Sequence, residues 1–229
     1  MAEPKEKNLR SYQELIELKN NKAQNVCGII LAGGLSRRMN KKDKSKIKFN
    51  DTNLINFVFS RASEQVKNLI INSNNPELIK ITKRKIFKDI FKGFLGPLSG
   101  VYTGLKWLQK DHRNIEWLMT FPVDSPFFPS DLVINLLNNL KEEMIVTASS
   151  DNRKHPVFSL WNVKITEDLE HSLKKKNLKI ESFTKKFKTK VVNFPIKDYD
   201  PFYNINYDQD LVKAKLIYKL FKSRNRIYK

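Results

Sequence analysis

The chain has 229 residues, 40% of them hydrophobic with 15 Phe, which suits one large α/β domain or two very small ones and argues against a disordered chain. A single cysteine, Cys27, excludes a disulfide framework and reads as a small buried hydrophobe in a reducing compartment. The net charge of +19 points to an anionic partner or to a lysine-rich surface, and lysines spread over nearly the whole chain favour the surface for most of the excess.

No stretch approaches the roughly 18 apolar residues of a membrane span, and the polar Met1 to Lys7 lacks an apolar signal core, so a cytoplasmic protein without a membrane partner is expected. Leu9, Tyr12, Leu15 and Ile16 fall at helical spacing, which makes residues 9–19 a short amphipathic helix within an N-terminal extension, residues 1–24, ahead of the main domain, residues 25–229.

Val26 to Leu31 is apolar and β-branched enough to be a strand buried on both faces. Ala32-Gly33-Gly34 follows, then Ser36, Arg37-Arg38-Met39-Asn40 and a cationic patch with Lys41, Lys42, Lys44 and Lys46. A strand giving way to paired glycines and then to positive charge is built like a polyphosphate cradle, because backbone N–H groups reach an anion where no Cβ intervenes. Spacing rules out two familiar phosphate loops. Asp43, not glycine, precedes Lys44-Ser45, and the third glycine of a dinucleotide fingerprint is replaced by Arg37. Within the patch, Lys44 at the end of the loop and Arg38 are the candidates to neutralise phosphate; Lys41, Lys42 and Lys46 read as solvated.

Further along, Leu54 to Val66 reads as a helix, Asn68 to Asn74 as a second buried strand ending in polar residues, and Pro76 as a helix opener. Lys85 to Phe87 is a short strand with Asp89 just beyond, and Gly96-Pro97-Leu98-Ser99-Gly100 is a tight turn into a helix to about Lys110. Trp117 to Phe121 is a strand ending in Pro122-Val123-Asp124-Ser125-Pro126, followed by a helix from Ser130 to about Leu140. Met144 to Ala148 and His155 to Leu160 are strands, residues 166–187 read as helical, Lys190 to Phe194 as the last strand and Asp208 to about Phe221 as the last helix. Strands alternating with helices imply a mostly parallel, Rossmann-like sheet with helices on both faces, with ligands at the carboxyl ends of strands. Gly33, Asn72, Asp89 and Asp124 each follow an apolar strand, which makes them one convergent site by order alone.

A carboxylate at a strand end, Asp124, suits Mg²⁺, which takes one or two carboxylates plus phosphate oxygens; as a helix cap it stands too far upstream of Ser130 and Asp131. The histidines, His112, His155 and His171, form no zinc-type spacing, and no Gly-x-Ser-x-Gly elbow appears.

The ordered set Leu31-Ala32-Gly33-Gly34, Arg37-Arg38-Met39, Asp43-Lys44, Asn72-Ser73-Asn74, Asp89, Gly96 to Gly100, Asp124 to Phe127, His155-Pro156 and Asn204-Ile205-Asn206 resembles the molybdenum cofactor guanylyltransferases over about residues 26–220. The resemblance implies transfer of GMP from GTP to molybdopterin, with Mg²⁺ as cofactor. It implies GTP contacts from Leu31, Ala32, Gly33, Lys44, Asn72, Asp89 and Asp124, catalytic roles for Lys44, Arg38 and Asp124, and Mg²⁺ on Asp124. It further implies a pterin-facing half around His155, Asn204 and Asn206, and proteins that deliver the cofactor or receive it. Relatives that transfer CMP carry Ala-Ala-Gly where this chain has Ala32-Gly33-Gly34, which favours GTP. Two departures stand out: Asn40 replaces the usual glycine, and Asp51-Thr52-Asn53-Leu54 replaces Gly-x-Pro-Leu, which obscures where the next helix starts. The competing readings are a transferase of the same fold using CTP or a sugar-1-phosphate, and a basic domain that holds nucleic acid. The second finds no recognition motif, and the aromatic residues fall in apolar strands instead of basic stretches.

Overall fold

The computed structural model describes residues 25–33, 43–93 and 95–227. The expected helix at 9–19, and Gly34, Arg38, Asn40, Lys41 and Lys42, lie outside them. Nine strands and seven α-helices follow in order among the described residues: β1 (Val26–Leu31), β2 (Lys48–Phe49), β3 (Thr52–Asn53), α1 (Leu54–Ser63), β4 (Asn68–Asn72), α2 (Leu78–Thr82), β5 (Ile86–Phe87), α3 (Pro97–Asp111), β6 (Trp117–Pro122), α4 (Leu132–Asn138), β7 (Ile145–Ser150), β8 (Arg153–Asn162), α5 (Thr166–Lys174), α6 (Ile180–Thr184), β9 (Thr189–Asn193) and α7 (Asp208–Ile227).

Seven strands form one sheet in the order β5-β4-β1-β6-β8-β7-β9. Every pairing is parallel except those of β8, which runs against both β6 and β7. The sheet is therefore mostly parallel with helices on both faces, an α/β architecture of the Rossmann kind. Side chains alternate across it as a pleat requires. Val26, Ile30, Ile71, Met119 and Phe121 pack under α1 and α4, whereas Cys27, Ile29, Ile70 and Leu118 pack under α3, α5 and α6. Cys27 is fully buried, and burial pushes its thiol pKa up, so it is packing material, not a reactive group.

Register does the work of assembling the site. Leu31 pairs with Asn72 on one side and Pro122 on the other, and Asn72 pairs with Phe87. The carboxyl ends of β5, β4, β1 and β6 thus lie in one row. Two bonds tie the residues beyond: Ala32 N donates to Asn72 O at 2.9 Å, and Val123 N to Leu31 O at 3.2 Å.

Some elements differ from the sequence reading. The helix expected over 166–187 is two helices, because Lys176 adopts φ 57° and Ser172 and Asn177 bond each other across the break. Before α1, Asn50 at φ 53° turns a two-strand hairpin of β2 and β3 that carried no apolar alternation to reveal it. Helix α1 nonetheless starts at Leu54, whose N–H donates to Ile47 O at 2.9 Å. The hairpin has a structural use: Phe49 stacks edge-on with Phe57, Phe127 and Tyr218, at centroid distances of 5.2, 5.9 and 5.7 Å, and so docks α7 onto the domain.

Candidate active site

One cavity of about 550 Å³ opens at the carboxyl ends of the parallel strands. Leu31, Ala32, Gly33, Lys44, Asn72, Asp89, Asp124, His155, Asn204 and Asn206 all line it. Of the residues expected to bind GTP, hold metal, catalyse or face the pterin, only Arg38 lies outside the described ones.

Lys44 occupies the middle. Asp43 accepts Ser45 N at 3.0 Å through one carboxylate oxygen and Asn75 Nδ2 at 2.6 Å through the other, which pins a single turn of 3-10 helix over Lys44–Lys46. The turn sends Lys44 inward and leaves Lys46 exposed. Lys44 Nζ donates to Asp124 Oδ2 and to Asn206 Oδ1, each at 2.8 Å. The side chains of the Lys44–Asp124 pair are 13% and 21% exposed, so the pair is screened less than a surface pair would be. Ser45, next in the chain, is buried, and among the described residues its hydroxyl has no hydrogen-bond partner. Asp124 does not cap α4; its own backbone carbonyl accepts Ile205 N at 2.8 Å, which brings the Asn204 to Asn206 segment against the strand end. Asp131 holds the cap position of α4 without a side-chain bond.

That segment is held from the other side by Asp210, which sequence reasoning had not singled out. One oxygen accepts the N–H groups of Asn206 and Tyr207 at 2.8 Å each, and the other accepts the Tyr203 hydroxyl at 3.1 Å. Although burial opposes it, those donors and the Lys44 charge hold the Asp210 carboxyl below the usual range; burial and Asp210 push Tyr203 up to about 12. A carboxylate three residues into a turn-helix junction, reaching back to N–H groups before it, is half of a capping box and was legible in Asn204-Ile205-Asn206-Tyr207-Asp208-Gln209-Asp210.

At the β4 side, Asn72 Nδ2 donates to Phe87 O at 3.1 Å and to Asp89 Oδ1 at 3.0 Å. Asn74 Nδ2 donates to Asp89 Oδ2 at 2.8 Å, and its Oδ1 accepts Asp89 N at 3.1 Å. Asp89 is thereby fixed in orientation while its oxygens keep lone pairs to spare. Helix α3 approaches this edge with Gly96 at φ 73°, a conformation that suits glycine, and Pro97 at its first turn. Gly100 is the closest point: a Cβ there would stand 2.5 Å from both Asn72 Oδ1 and Leu31 Cδ2.

At the far side, the β7–β8 hairpin turns through Asp151 and Asn152, both at positive φ, and its register shifts beyond Thr147 so that Pro156 to Phe158 bulge toward the cleft. Thr120 Oγ1 donates to Val157 O at 2.6 Å and Ser159 Oγ to Pro156 O at 3.0 Å, which hold the bulge. His155 stands at its start, half-buried, with burial pushing its pKa below the ordinary histidine value.

Among the described residues no group of three or more His, Cys, Asp and Glu gathers as a metal cluster. A lone inward carboxylate beside a lysine fits a cation that takes its remaining ligands from phosphate and water, which describes Mg²⁺ better than zinc. The arrangement as a whole combines fixed carboxylates, a directed lysine and glycine-edged backbone, the parts a nucleoside triphosphate site needs.

Comparison with known proteins agrees. The model of the MobA-like NTP transferase domain matches residues 28–189. A molybdenum cofactor guanylyltransferase from Rhodopseudomonas palustris is 34% identical over 193 residues, covering 82% of this chain and 92% of that one. One from Yersinia pestis is 36% identical over 187 residues, covering 81% and 93%. The crystal structure of molybdopterin-guanine dinucleotide biosynthesis protein A from Archaeoglobus fulgidus superposes with a TM-score of 0.67 at 19% identity, over 84% of this chain and 98% of that one.

Proposed function

The chain belongs to the MobA-like NTP transferase family, and we propose that it transfers GMP from GTP to molybdopterin, releasing pyrophosphate and forming molybdopterin guanine dinucleotide. The observation that carries this reading is the cleft that Lys44, Asp124, Asn72, Asp89, His155 and Asn204 all line. A terminal phosphate on the pterin attacks the α-phosphate of GTP, and the bond to pyrophosphate breaks. A phosphate nucleophile is already ionised, so positioning and charge neutralisation supply most of the rate.

In this reading Leu31, Ala32 and Gly33 present backbone to the nucleotide, and Asn72 and Asp89 face the guanine. Asp124 would hold Mg²⁺, which would supply positive charge to neutralise the phosphates. Lys44, steadied by Asn206, follows the charge that develops on the α-phosphate and the leaving pyrophosphate, with Arg38 as a second cation. The one buried cysteine suits a reducing cytoplasm.

The test is pyrophosphate release from GTP and molybdopterin. Asp124→Ala is expected to lower it by orders of magnitude, and undiminished turnover would remove Asp124 from the mechanism. A nucleotide panel in a thermal-shift assay checks the donor: stabilisation by CTP and not GTP would overturn the guanylyl assignment.

A further inference from the structure

The acceptor end of the cleft contains a string of polar groups separate from Lys44 and Asp124. His155 Nε2 lies 2.7 Å from Ser150 Oγ. Ser150 Oγ donates to Asp200 Oδ1 at 2.9 Å, and the same carboxylate oxygen accepts Phe202 N at 2.9 Å. A serine hydroxyl has one proton, and an ionised carboxylate can only accept it. Ser150 therefore meets the imidazole with a lone pair, which makes Nε2 the protonated nitrogen. Nδ1 is left with its lone pair, and no group among the described residues donates to it. The charged groups that act on the ring are Asp200, from the loop before α7, and Arg153, on its own strand; burial favours the neutral imidazole.

His155 lines the cleft, and its surroundings narrow what the ring can meet there. The Phe202 ring lies 4.6 Å from the imidazole, and Pro156, Val157 and Phe158 line the same end. An apolar wall with one bare acceptor fits a flat heteroaromatic ring that offers an N–H. It does not fit a phosphate, whose oxygens would meet the Nδ1 lone pair with lone pairs of their own. Arg153 and Lys154, exposed on the rim of the cleft, have the sign a phosphate needs.

We propose that Ser150 and Asp200 are positioning residues that fix His155 as the Nε2–H tautomer, so that Nδ1 accepts a hydrogen bond from a ring N–H of the pterin acceptor. The proposal rests on the transfer reaction above, which is what brings a pterin to this end of the cleft.

Two measurements test it. Nitrogen-15 NMR of the full chain at about pH 8, above the ordinary histidine range, reads the tautomer directly, with His155→Phe identifying the signal among the three histidines. Nε2 is expected to hold the proton, and Ser150→Ala is expected to give a mixture. In steady-state assays, Ser150→Ala and Asp200→Ala are each expected to raise KM for molybdopterin about tenfold, the scale of one lost hydrogen bond. The Kd for GTP measured without acceptor should stay within about twofold. A proton on Nδ1 in the unsubstituted protein overturns the proposal even if both variants fail to fold. So does an unchanged KM for molybdopterin in Ser150→Ala, or an equal loss of GTP affinity. If the unsubstituted protein releases no pyrophosphate from GTP and molybdopterin, the transfer reaction is what fails, and the pterin contact goes with it.

Discussion

At the scale of single residues, the cationic patch separates into unequal members. Lys44 and Lys46 are two positions apart with the same charge, yet the short turn pinned by Asp43 sends one into the cleft and the other into solvent. Lys44→Ala is expected to cost about 2–4 kcal/mol in kcat/KM for GTP, the scale of one preorganised electrostatic donor. Lys46→Ala is expected to cost well under about 1 kcal/mol, as exposed charges do. Equal losses at one fixed salt concentration would reduce the loop to a diffuse cationic surface. Lys44 was legible in the sequence because Asp-Lys after a glycine loop is a local pattern. Asp210 had a local signal too, since its partners lie within seven residues; the Ser150–Asp200 link was harder to see, because it depends on where a late loop returns.

At the scale of elements, the site depends on how closely α3 presses on the strand ends. Adding a methyl at Gly100 would require Asn72 to move, and Asn72 is what orients Asp89. Gly100→Ala is therefore expected to weaken GTP binding by about 1–3 kcal/mol, the usual range for overpacking, when Kd is measured by calorimetry. An unchanged Kd would mean that Asn72 is not held where nucleotide binding needs it. Long apolar elements such as β1, β4 and β6 were readable from residue pattern because burial on both faces leaves no alternation to interpret. The β2–β3 hairpin and the break between α5 and α6 were not, since each turns on one residue in a left-handed conformation, Asn50 or Lys176. The reversed direction of β8 was also invisible: a strand's apolar run reads the same either way.

For the whole molecule, the charge of +19 is a background on which a local site is set. Exposed lysines attract any polyanion through a field that salt screens within about 10 Å at 0.1 M. The Lys44–Asp124 pair is mostly shielded. Raising ionic strength is thus expected to abolish association with long nucleic acid steeply while the ratio of kcat/KM between the unsubstituted protein and Lys44→Ala stays nearly constant. A ratio that collapses with salt would place Lys44 in the screened surface layer.

With Asp124 as the proposed Mg²⁺ ligand, the bond from Lys44 to Asp124 would also make the enzyme its own inhibitor of metal uptake. A tethered ammonium sits on the carboxylate that Mg²⁺ would take, so a free ion competes against a cation whose local concentration never falls. Triphosphate oxygens would give the lysine somewhere else to go, and the nucleotide would thereby open the proposed seat for the ion. Metal and nucleotide should enter as a cooperative pair, each tightening the other by the same factor. Calorimetric titration with Mg²⁺ is expected to show weak binding alone and tighter binding with GTP present. In Lys44→Ala, binding of the ion alone should improve and the cooperativity should shrink; if it binds no more tightly there than in the unsubstituted protein, the lysine is no competitor.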